Sequence, residues 1–228
     1  MPQYPKRVPN YLIRVQLPDR PGALGAVASR IGAVGGDVVS IDILQRDNGV
    51  VVDELGVGLA GDHLLELLRE EILEVDGVTI ETLRAVEGPL PDRHGELLDI
   101  ATDLFVQESP TTLLDRLADR VCRSLAADFA AVIDADTSRV MAAHGAAPGD
   151  EELRTMALWA VAPLSPQLGA DERGDESPDQ SPTVAAAELV RAGVVLVVGR
   201  AAPVFRTRER QWIAIMAELA DHGWRALA

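Results

Sequence analysis

The sequence predicts a mixed α+β protein made of two domains, and three observations carry this prediction. Between residues 10 and 87 the chain shows strand and helix patterns in the order βαββαβ. A stretch rich in proline and glycine follows at 88–95 and is expected to be a linker. In the remaining segment, 96–228, helix patterns lie before, between and after short strand patterns. At 228 residues the chain is long enough for two small domains.

The first strand and the first helix are joined by a tight turn. Residues 11–17 follow an alternating strand pattern. The helix that follows has its apolar stripe at Leu24, Val27, Ile31 and Val34. Asp19 and Pro21 are typical of a helix start, so Asp19 is expected to cap this helix. Gly22 leaves room for another group to approach the backbone.

The same turn has the charges that would suit an amino acid. Free amide groups at the start of a helix attract an anion, and the Asp19 carboxylate beside them attracts a cation. A zwitterionic amino acid carries both charges. Asp19 is also explained as a turn and cap residue that needs no ligand, and the sequence leaves both interpretations open.

The rest of this segment completes the βαββαβ order. Asp37 opens a second strand, and residues 47–49 are a turn signal before a third strand at about 50–59. The second strand places on one face the side chains of Val39, Ile41 and Ile43. Asp62 is expected to cap a second helix, and a last strand covers 77–83. This is the order of the ferredoxin-like fold.

Segment 10–87 resembles the ACT domain family of regulatory, ligand-binding domains. The run 19–24, the glycines at 35 and 36, and Asp37 at the start of the second strand carry the resemblance. The resemblance implies a ligand site at a dimer interface, lined by the turn and by the start of the second strand. The residues that it assigns to ligand binding are Asp19, Arg20, Gly22, Ala23, Leu24, Asp37 and Val38.

Two of these positions depart from a common pattern of the family. Many ACT domains have asparagine where this chain has Asp19 and Asp37. Two carboxylates would favour the ammonium end of an amino acid, and they would repel each other without it. Asp37 also has a simpler explanation, because after two glycines it could merely open a strand.

The second half of the chain predicts a helix pair followed by a sheet. Apolar residues within 97–105 mark the first helix, and Ser109 is expected to cap the second helix, with Pro110 at its first position. Two short strands are expected at 129–133 and 140–144.

The end of the chain adds a helix, a loop, a hairpin and a long helix. The helix is expected at 151–161, and the acidic, proline-containing segment 163–182 is predicted to be a mobile loop. Strands are expected at 184–190 and 194–198. Thr207 is expected to cap the last helix.

Segment 96–228 resembles the GAF domain family of small-molecule sensor modules. The helix pair, the hairpin 184–198 and the entry to the last helix at 205–209 carry the resemblance. GAF domains often bind ligands under the middle loop, which in this chain is the predicted mobile loop, so the resemblance assigns no ligand residues here. A generic α+β sandwich is the alternative interpretation of this half.

The composition argues against several classes of partner. A net charge of −15 and a pI of about 4.6 disfavour nucleic acid and anionic membranes. The longest apolar run, 194–198, is too short to cross a bilayer, and residues 1–10 lack the apolar core of a signal peptide. Cys122, the single cysteine, lies on an apolar helix stripe and is expected to be a buried small hydrophobe. A cytoplasmic protein is therefore predicted.

The motifs do not predict chemistry. Residues 56–61 match the dinucleotide pattern G-x-G-x-x-G, but Leu55, Val57 and Leu59 continue the strand alternation, so its first two glycines are expected inside a strand. The four histidines are dispersed and lack metal-ligand spacing. The sequence thus predicts no enzyme, no metal site and no cofactor.

Together these observations predict a non-catalytic, homodimeric regulatory protein that senses an amino acid or a similar small metabolite at an ACT dimer interface. The alternative is a ligand-independent dimerisation or interaction module that docks a separate enzyme or regulator.

Overall fold

The structure is a computed structural model that describes residues 9–161 and 183–227. The chain divides into two compact units, residues 1–91 and 92–228, which we call unit 1 and unit 2. Each unit contains a four-stranded sheet whose strands pair antiparallel. The predicted α+β fold class is confirmed. The predicted mobile loop, 163–182, lies outside the described residues.

Unit 1 has the ferredoxin-like topology that the sequence predicts. Its elements are β1 (Asn10–Pro18), α1 (Ala23–Ala33), β2 (Asp37–Asp47), β3 (Val50–Gly58), α2 (Leu65–Leu73) and β4 (Thr79–Val86). The strand order is β2-β3-β1-β4, so β2 and β4 are the two edges of the sheet. Gly56 and Gly58 of the G-x-G-x-x-G pattern lie inside β3, as the alternation predicts.

The core of unit 1 lies between one face of the sheet and the two helices. Val27 and Ile31 of α1 and Leu68 of α2 are fully buried in it. The strands contribute Ile13, Val15, Val51, Leu55 and Val57. Helix α1 contacts both β1 and β2, which flank β3 in the sheet, so α1 lies over β3. The apolar stripe predicted for α1 therefore faces the core.

The glycine pair after α1 ends the helix. Gly35 has φ +80°, a left-handed conformation that glycine adopts without strain. The Gly36 N–H donates to the Ile31 carbonyl at 3.0 Å, and the Gly35 N–H donates to the Gly32 carbonyl at 2.9 Å. These bonds form the Schellman motif, which satisfies the last carbonyl groups of the helix.

Unit 2 has helices on both faces of its sheet. Its elements are α3 (Arg93–Phe105), α4 (Pro110–Ser124), β5 (Phe129–Asp134), β6 (Val140–Gly145), α5 (Asp150–Val161), β7 (Thr183–Leu189), β8 (Val194–Arg200) and α6 (Thr207–Leu227). The strand order is β6-β5-β8-β7. Leu153 of α5 packs on the face formed by Phe129, Ala131 and Ile133. Helices α4 and α6 contact the strands as well, and α3 packs against both of these helices.

Side chains cap the first two helices of unit 2. The Ser109 hydroxyl accepts the Thr112 N–H at 3.2 Å, and Pro110 is the first helical residue, so the cap predicted for α4 is confirmed. Asp92 caps α3 by accepting the amide groups of His94 and Gly95. Helix α3 therefore begins at Arg93, inside the stretch 88–95 that the sequence predicts to be a linker.

Two other predicted caps are wrong. Helix α6 begins at Thr207 itself, and the Glu209 carboxylate accepts the Arg206 N–H at 2.8 Å, as the acidic partner of a capping box does. Asp62 begins a short 3-10 turn, Asp62–Leu64, and makes no cap bond. Its carboxylate instead accepts the hydroxyl of buried Tyr11. Burial and this bond raise the pKa of Tyr11 to about 12.

Candidate functional site

The predicted site begins at the loop between β1 and α1. The Asp19 N–H donates to the Gly49 carbonyl at 2.8 Å. The Asp19 carboxylate accepts two hydrogen bonds of 2.9 Å from Arg46, one from Nε and one from Nη2. This bidentate pair ties the loop to the end of β2. The cation beside Asp19 in the free chain is therefore the guanidinium of Arg46.

The prediction that Asp19 caps α1 is wrong. The cap residue is Gly22, which has φ +88° and provides no side-chain hydrogen bond. Because this left-handed conformation favours glycine, the backbone gives a sufficient reason for Gly22. A Cβ at this position would meet no atom within 4 Å, so the space beside Gly22 is open.

The first turn of α1 has backbone donors that remain open. The Ala23 N–H already donates to the Arg20 carbonyl at 3.2 Å, and the Ala26 N–H makes the first full helical bond, to Gly22. Within the two described stretches of the chain, no acceptor lies in hydrogen-bond range of the amide groups of Gly22, Leu24 and Gly25. Of the free amide groups that the sequence predicts to attract an anion, those of Gly22 and Leu24 are therefore available.

The other two predicted ligand residues lie at the far end of β2. Asp37 pairs with Gly58 at one end of β3, whereas Arg46 pairs with Val51 near the other end. Nine residues of strand separate Asp37 from Arg46, or about 30 Å at about 3.3 Å per residue. A single chain therefore does not bring Asp37 and Val38 to the loop that contains Asp19.

The edge strand β2 exposes an apolar row. The exposed fractions are 59% for Val39, 47% for Ile41 and 56% for Ile43. Ile41 lies opposite Leu55 of β3, a core residue, so Ile41 faces the helix-covered side of the sheet. We call Val39, Ile41 and Ile43 the β2 edge row.

One charged residue near the edge row was missed by the motif search. Asp53 on β3 lies opposite Val15 on β1 and Ile43 on β2. It is 2% exposed, and its Oδ1 atom has no hydrogen-bond partner in the described part of the chain. Burial raises the pKa of its carboxyl group. A signal was present in the sequence, because Asp53 occupies a core position in the alternation between Val51 and Leu55.

Two buried charges of unit 2, Arg200 and Glu209, pair with each other. Arg200 Nη2 donates to both carboxylate oxygens of Glu209, at 2.7 and 2.9 Å, and both side chains are almost fully buried. The same guanidinium also donates to the carbonyl groups of Leu125 and Val204. This network connects β8 to the start of α6.

Other features of unit 2 do not form a chemical site. Cys122 is 9% exposed, and burial raises the pKa of its thiol, as expected for a packed small hydrophobe. An open cleft of about 340 Å³ is lined by Asp128, Phe129, Ala146, Pro148, Glu152 and Ala201. Within it the Asp128 carboxylate already accepts the Ala201 N–H at 2.6 Å.

Residues 9–161 and 183–227 lack two features that would indicate other functions. They contain no group of three or more side chains arranged to hold a metal ion. None of their helices is both long enough and apolar enough to span a bilayer.

Comparison with known proteins found similarity only among solved structures. No family model matches the chain, and no curated protein matches it. The ACT domain from the GTP pyrophosphokinase of Chlorobium tepidum is 18% identical, with a TM-score of 0.28, over 35% of this chain and 88% of that one.

Two GAF domains of phosphoenolpyruvate-protein phosphotransferases are also similar. The one from Coxiella burnetii is 14% identical, with a TM-score of 0.42, over 59% of this chain and 94% of that one. The one from Acinetobacter is 16% identical, with a TM-score of 0.39, over 60% and 95% of the two chains. Both families that the sequence resembles are thus among the similar solved structures.

Proposed function

We propose that this is a non-catalytic regulatory protein that senses an amino acid or a similar small metabolite at an interface between two copies of unit 1. The β2 edge row is the observation that supports the proposal most. Among the described strands, none pairs with the outer edge of β2, and Val39, Ile41 and Ile43 are about half exposed on this strand. Such an edge is a template for a further strand, and a second copy of the chain supplies one.

Antiparallel pairing of two β2 strands would complete the predicted ligand site. A two-fold axis makes the same patch of both copies meet, and it pairs an edge strand with itself in the antiparallel direction. The start of each strand then lies beside the end of the other. Asp37 and Val38 of one copy come next to the loop 19–24 of the second copy, although they are about 30 Å from that loop in their own chain.

The loop supplies donors for the acidic end of the ligand. The open amide groups of Gly22 and Leu24 lie at the positive end of the α1 dipole, where a carboxylate is favoured. A ligand held by both copies binds the dimer more tightly than the monomer, so it shifts the chain toward the dimer. Unit 2 then responds to this change or adds to the dimer.

The proposal also covers location and partners. With a net charge of −15, the protein is proposed to act in the cytoplasm without a nucleic-acid or membrane partner. Its output is regulation of another protein.

The test measures assembly and ligand binding on the same samples. We expect sedimentation at micromolar concentration to show a dimer, and a thermal-shift panel of proteinogenic amino acids at millimolar concentration to give a stabilising hit. Ile43→Lys places a charge in the β2 edge row, so it should abolish both the dimer and the stabilisation by the ligand. Leu67→Lys is the matched control, since Leu67 is an exposed leucine on α2 and is 45% exposed. A monomeric parent chain, or an Ile43→Lys variant that still dimerises, would contradict the proposal.

A ligand-independent interaction module is the second candidate. The bidentate pair between Asp19 and Arg46 favours it, because this pair satisfies Asp19 without any ligand. The thermal-shift panel distinguishes the sensor from the interaction module. A dimer whose unfolding temperature no amino acid changes supports the module and contradicts the sensor.

A further inference from the structure

We infer that Asp53 is the residue that recognises a primary ammonium group of the ligand, beneath α1 and beside the β2 edge row. The inference rests on the proposed function and adds to it the group that selects the ligand. It replaces the expectation that Asp19 or Asp37 performs this role.

The first step is the direction of the Asp53 side chain. Val51, Leu55 and Val57 of β3 belong to the core cluster that includes Val27 of α1. Since side chains alternate along a strand, Asp53 points to the same face as these residues. Helix α1 lies over β3 on that face, so the Asp53 carboxylate is directed at the underside of α1.

The second step is the missing partner. Asp53 is 2% exposed, and its Oδ1 accepts no hydrogen bond from the residues that the structure describes. A buried acceptor without a partner destabilises the fold, and a charged one does so more strongly. Such groups are rare in native proteins, and a bound partner that the chain does not itself contain is one explanation for them. A ligand ammonium supplies both the missing donor and the missing positive charge.

The third step is access from the edge of the sheet. Ile43 is the cross-strand neighbour of Asp53 toward the edge, and it is 56% exposed. One side chain therefore separates the Asp53 carboxylate from solvent at the β2 edge. This is the place where the second copy of unit 1 is proposed to close the site.

The fourth step excludes the two alternatives. The Asp19 carboxylate already makes two hydrogen bonds to Arg46, so an ammonium there would have to displace a guanidinium. Asp37 is exposed in the single chain and lies about 30 Å from the loop of that chain, so it can reach the ligand only from the second copy and is not a buried acceptor that lacks a partner. Asp53 is the carboxylate among these three that gains most from a cation.

The spacing defines which ammonium groups are candidates. Asp53 lies opposite Val15, three residues before Pro18 at the end of β1, so it is about 10 Å along the sheet from the start of the ligand loop. The α-ammonium of any amino acid and the side-chain ammonium of a basic one share the required chemistry. A panel in which many amino acids bind indicates the α-ammonium, and one in which only lysine or ornithine binds indicates the side chain.

The experiment uses the full chain, the proteinogenic amino acids and ornithine as probes, and two variants. Asp53→Asn keeps the shape of the side chain and removes the charge. Asp76→Asn is the matched control, because Asp76 is an exposed aspartate in the turn before β4 and loses the same charge. By calorimetry we expect Asp53→Asn to bind the best probe about 10- to 100-fold more weakly than the parent, and Asp76→Asn to bind it within about twofold.

A chemical variation of the probe then separates recognition from a structural role. The analogue that has a hydrogen atom in place of the recognised ammonium should bind the parent and Asp53→Asn equally, because it has no donor for Asp53 to accept from. Without ligand, Asp53→Asn should unfold at a higher temperature than the parent, since an unpaired buried charge has been removed.

Each contrary result overturns the inference in a recognisable way. Parent-like affinity in Asp53→Asn, or an equal loss in both proteins when the ammonium is replaced, shows that the ammonium lies elsewhere and leaves the proposed function intact. An Asp53→Asn chain that is less stable or unfolded shows that the carboxylate has a structural partner. A parent chain that binds no probe overturns both this inference and the sensor proposal.

Discussion

Units 1 and 2 differ in how their first helices begin and in one buried charge. In unit 2, side chains cap α3 and α4, and the buried Arg200 and Glu209 satisfy each other. In unit 1, α1 and α2 begin without a side-chain cap, and the buried Asp53 lacks a partner for Oδ1. A fully bonded network rigidifies a core, whereas open groups leave interactions for a ligand or a partner. The open groups at the start of α1 and at Asp53 are the reason why we propose a ligand site in unit 1.

The largest expected effect on stability comes from a substitution that breaks the Arg200–Glu209 network of unit 2. Glu209→Ala leaves the Arg200 guanidinium buried without its carboxylate, so the free energy of unfolding should fall by about 3–5 kcal/mol. Denaturant titration followed by circular dichroism measures this. Glu218→Ala, an exposed position on the same helix, should change stability by less than about 0.5 kcal/mol. Equal effects of the two substitutions would show that the network contributes nothing.

The next largest effect is the change in stability caused by Asp53→Asn, and this change depends on pH. Burial raises the folded-state pKa of Asp53, so the native chain holds this proton more tightly than the unfolded chain. Its contribution to stability therefore falls as the pH rises from the ordinary aspartate range through the raised pKa. Asp53→Asn should be more stable than the parent by about 1–3 kcal/mol at neutral pH, and this gain should shrink on acidification. A gain that does not vary with pH would contradict the assignment.

A smaller effect tests the open start of α1. Gly22→Ala places a Cβ on a residue at φ +88°, which should cost about 1–2 kcal/mol through the backbone alone, because the new atom meets no neighbour within 4 Å. Gly25→Ala is the control in the same helix, and it should stabilise by about 0.5–1 kcal/mol, since alanine is the better helix former. Thermal unfolding should therefore occur at a lower temperature in Gly22→Ala than in the parent, and at a higher temperature in Gly25→Ala.

The smallest effects compare two residues that the sequence predicts as caps. Ser109→Ala removes a cap bond that is present and should lower the free energy of unfolding by about 1 kcal/mol. Asp19→Ala removes only a largely exposed ion pair, so its cost should stay below about 0.5 kcal/mol. Chemical denaturation of both variants decides the comparison. A cost for Asp19→Ala equal to that for Ser109→Ala would mean that the loop depends on its bond to Arg46.

Local sequence determined most of the fold, and the errors that concern the candidate site arose from distant residues. The strand patterns, the helical stripes and the Ser109–Pro110 start require only neighbours in the chain. They match the structure except in β2, whose register against β3 shifts after Val38 and again after Ile43. Asp19 has the composition of a cap, but Arg46 takes its carboxylate from 27 residues away. Residue propensities cannot predict the contact between Asp19 and Arg46, because it depends on the pairing of β2 with β3.

The candidate site was predictable only in part for the same reason. The loop 19–24 follows from its motif, and its open amides follow from the helix that it starts. Predicting the role of Asp53 requires knowing which strand lies under α1, and this depends on the order of the strands in the sheet. The separation of Asp37 from Asp19 likewise depends on the direction in which β2 runs.

The start of α3 determines where the chain can be cut into independent pieces. Asp92 caps this helix, and the buried Arg93 donates to the Ser124 carbonyl and stacks 5.4 Å from the ring centre of Trp212. A fragment that begins at residue 96 would lose the cap, the first helical residues and this anchor. A fragment that begins at 91 keeps all three, so limited proteolysis or separate expression of unit 2 should succeed only with a boundary before Asp92.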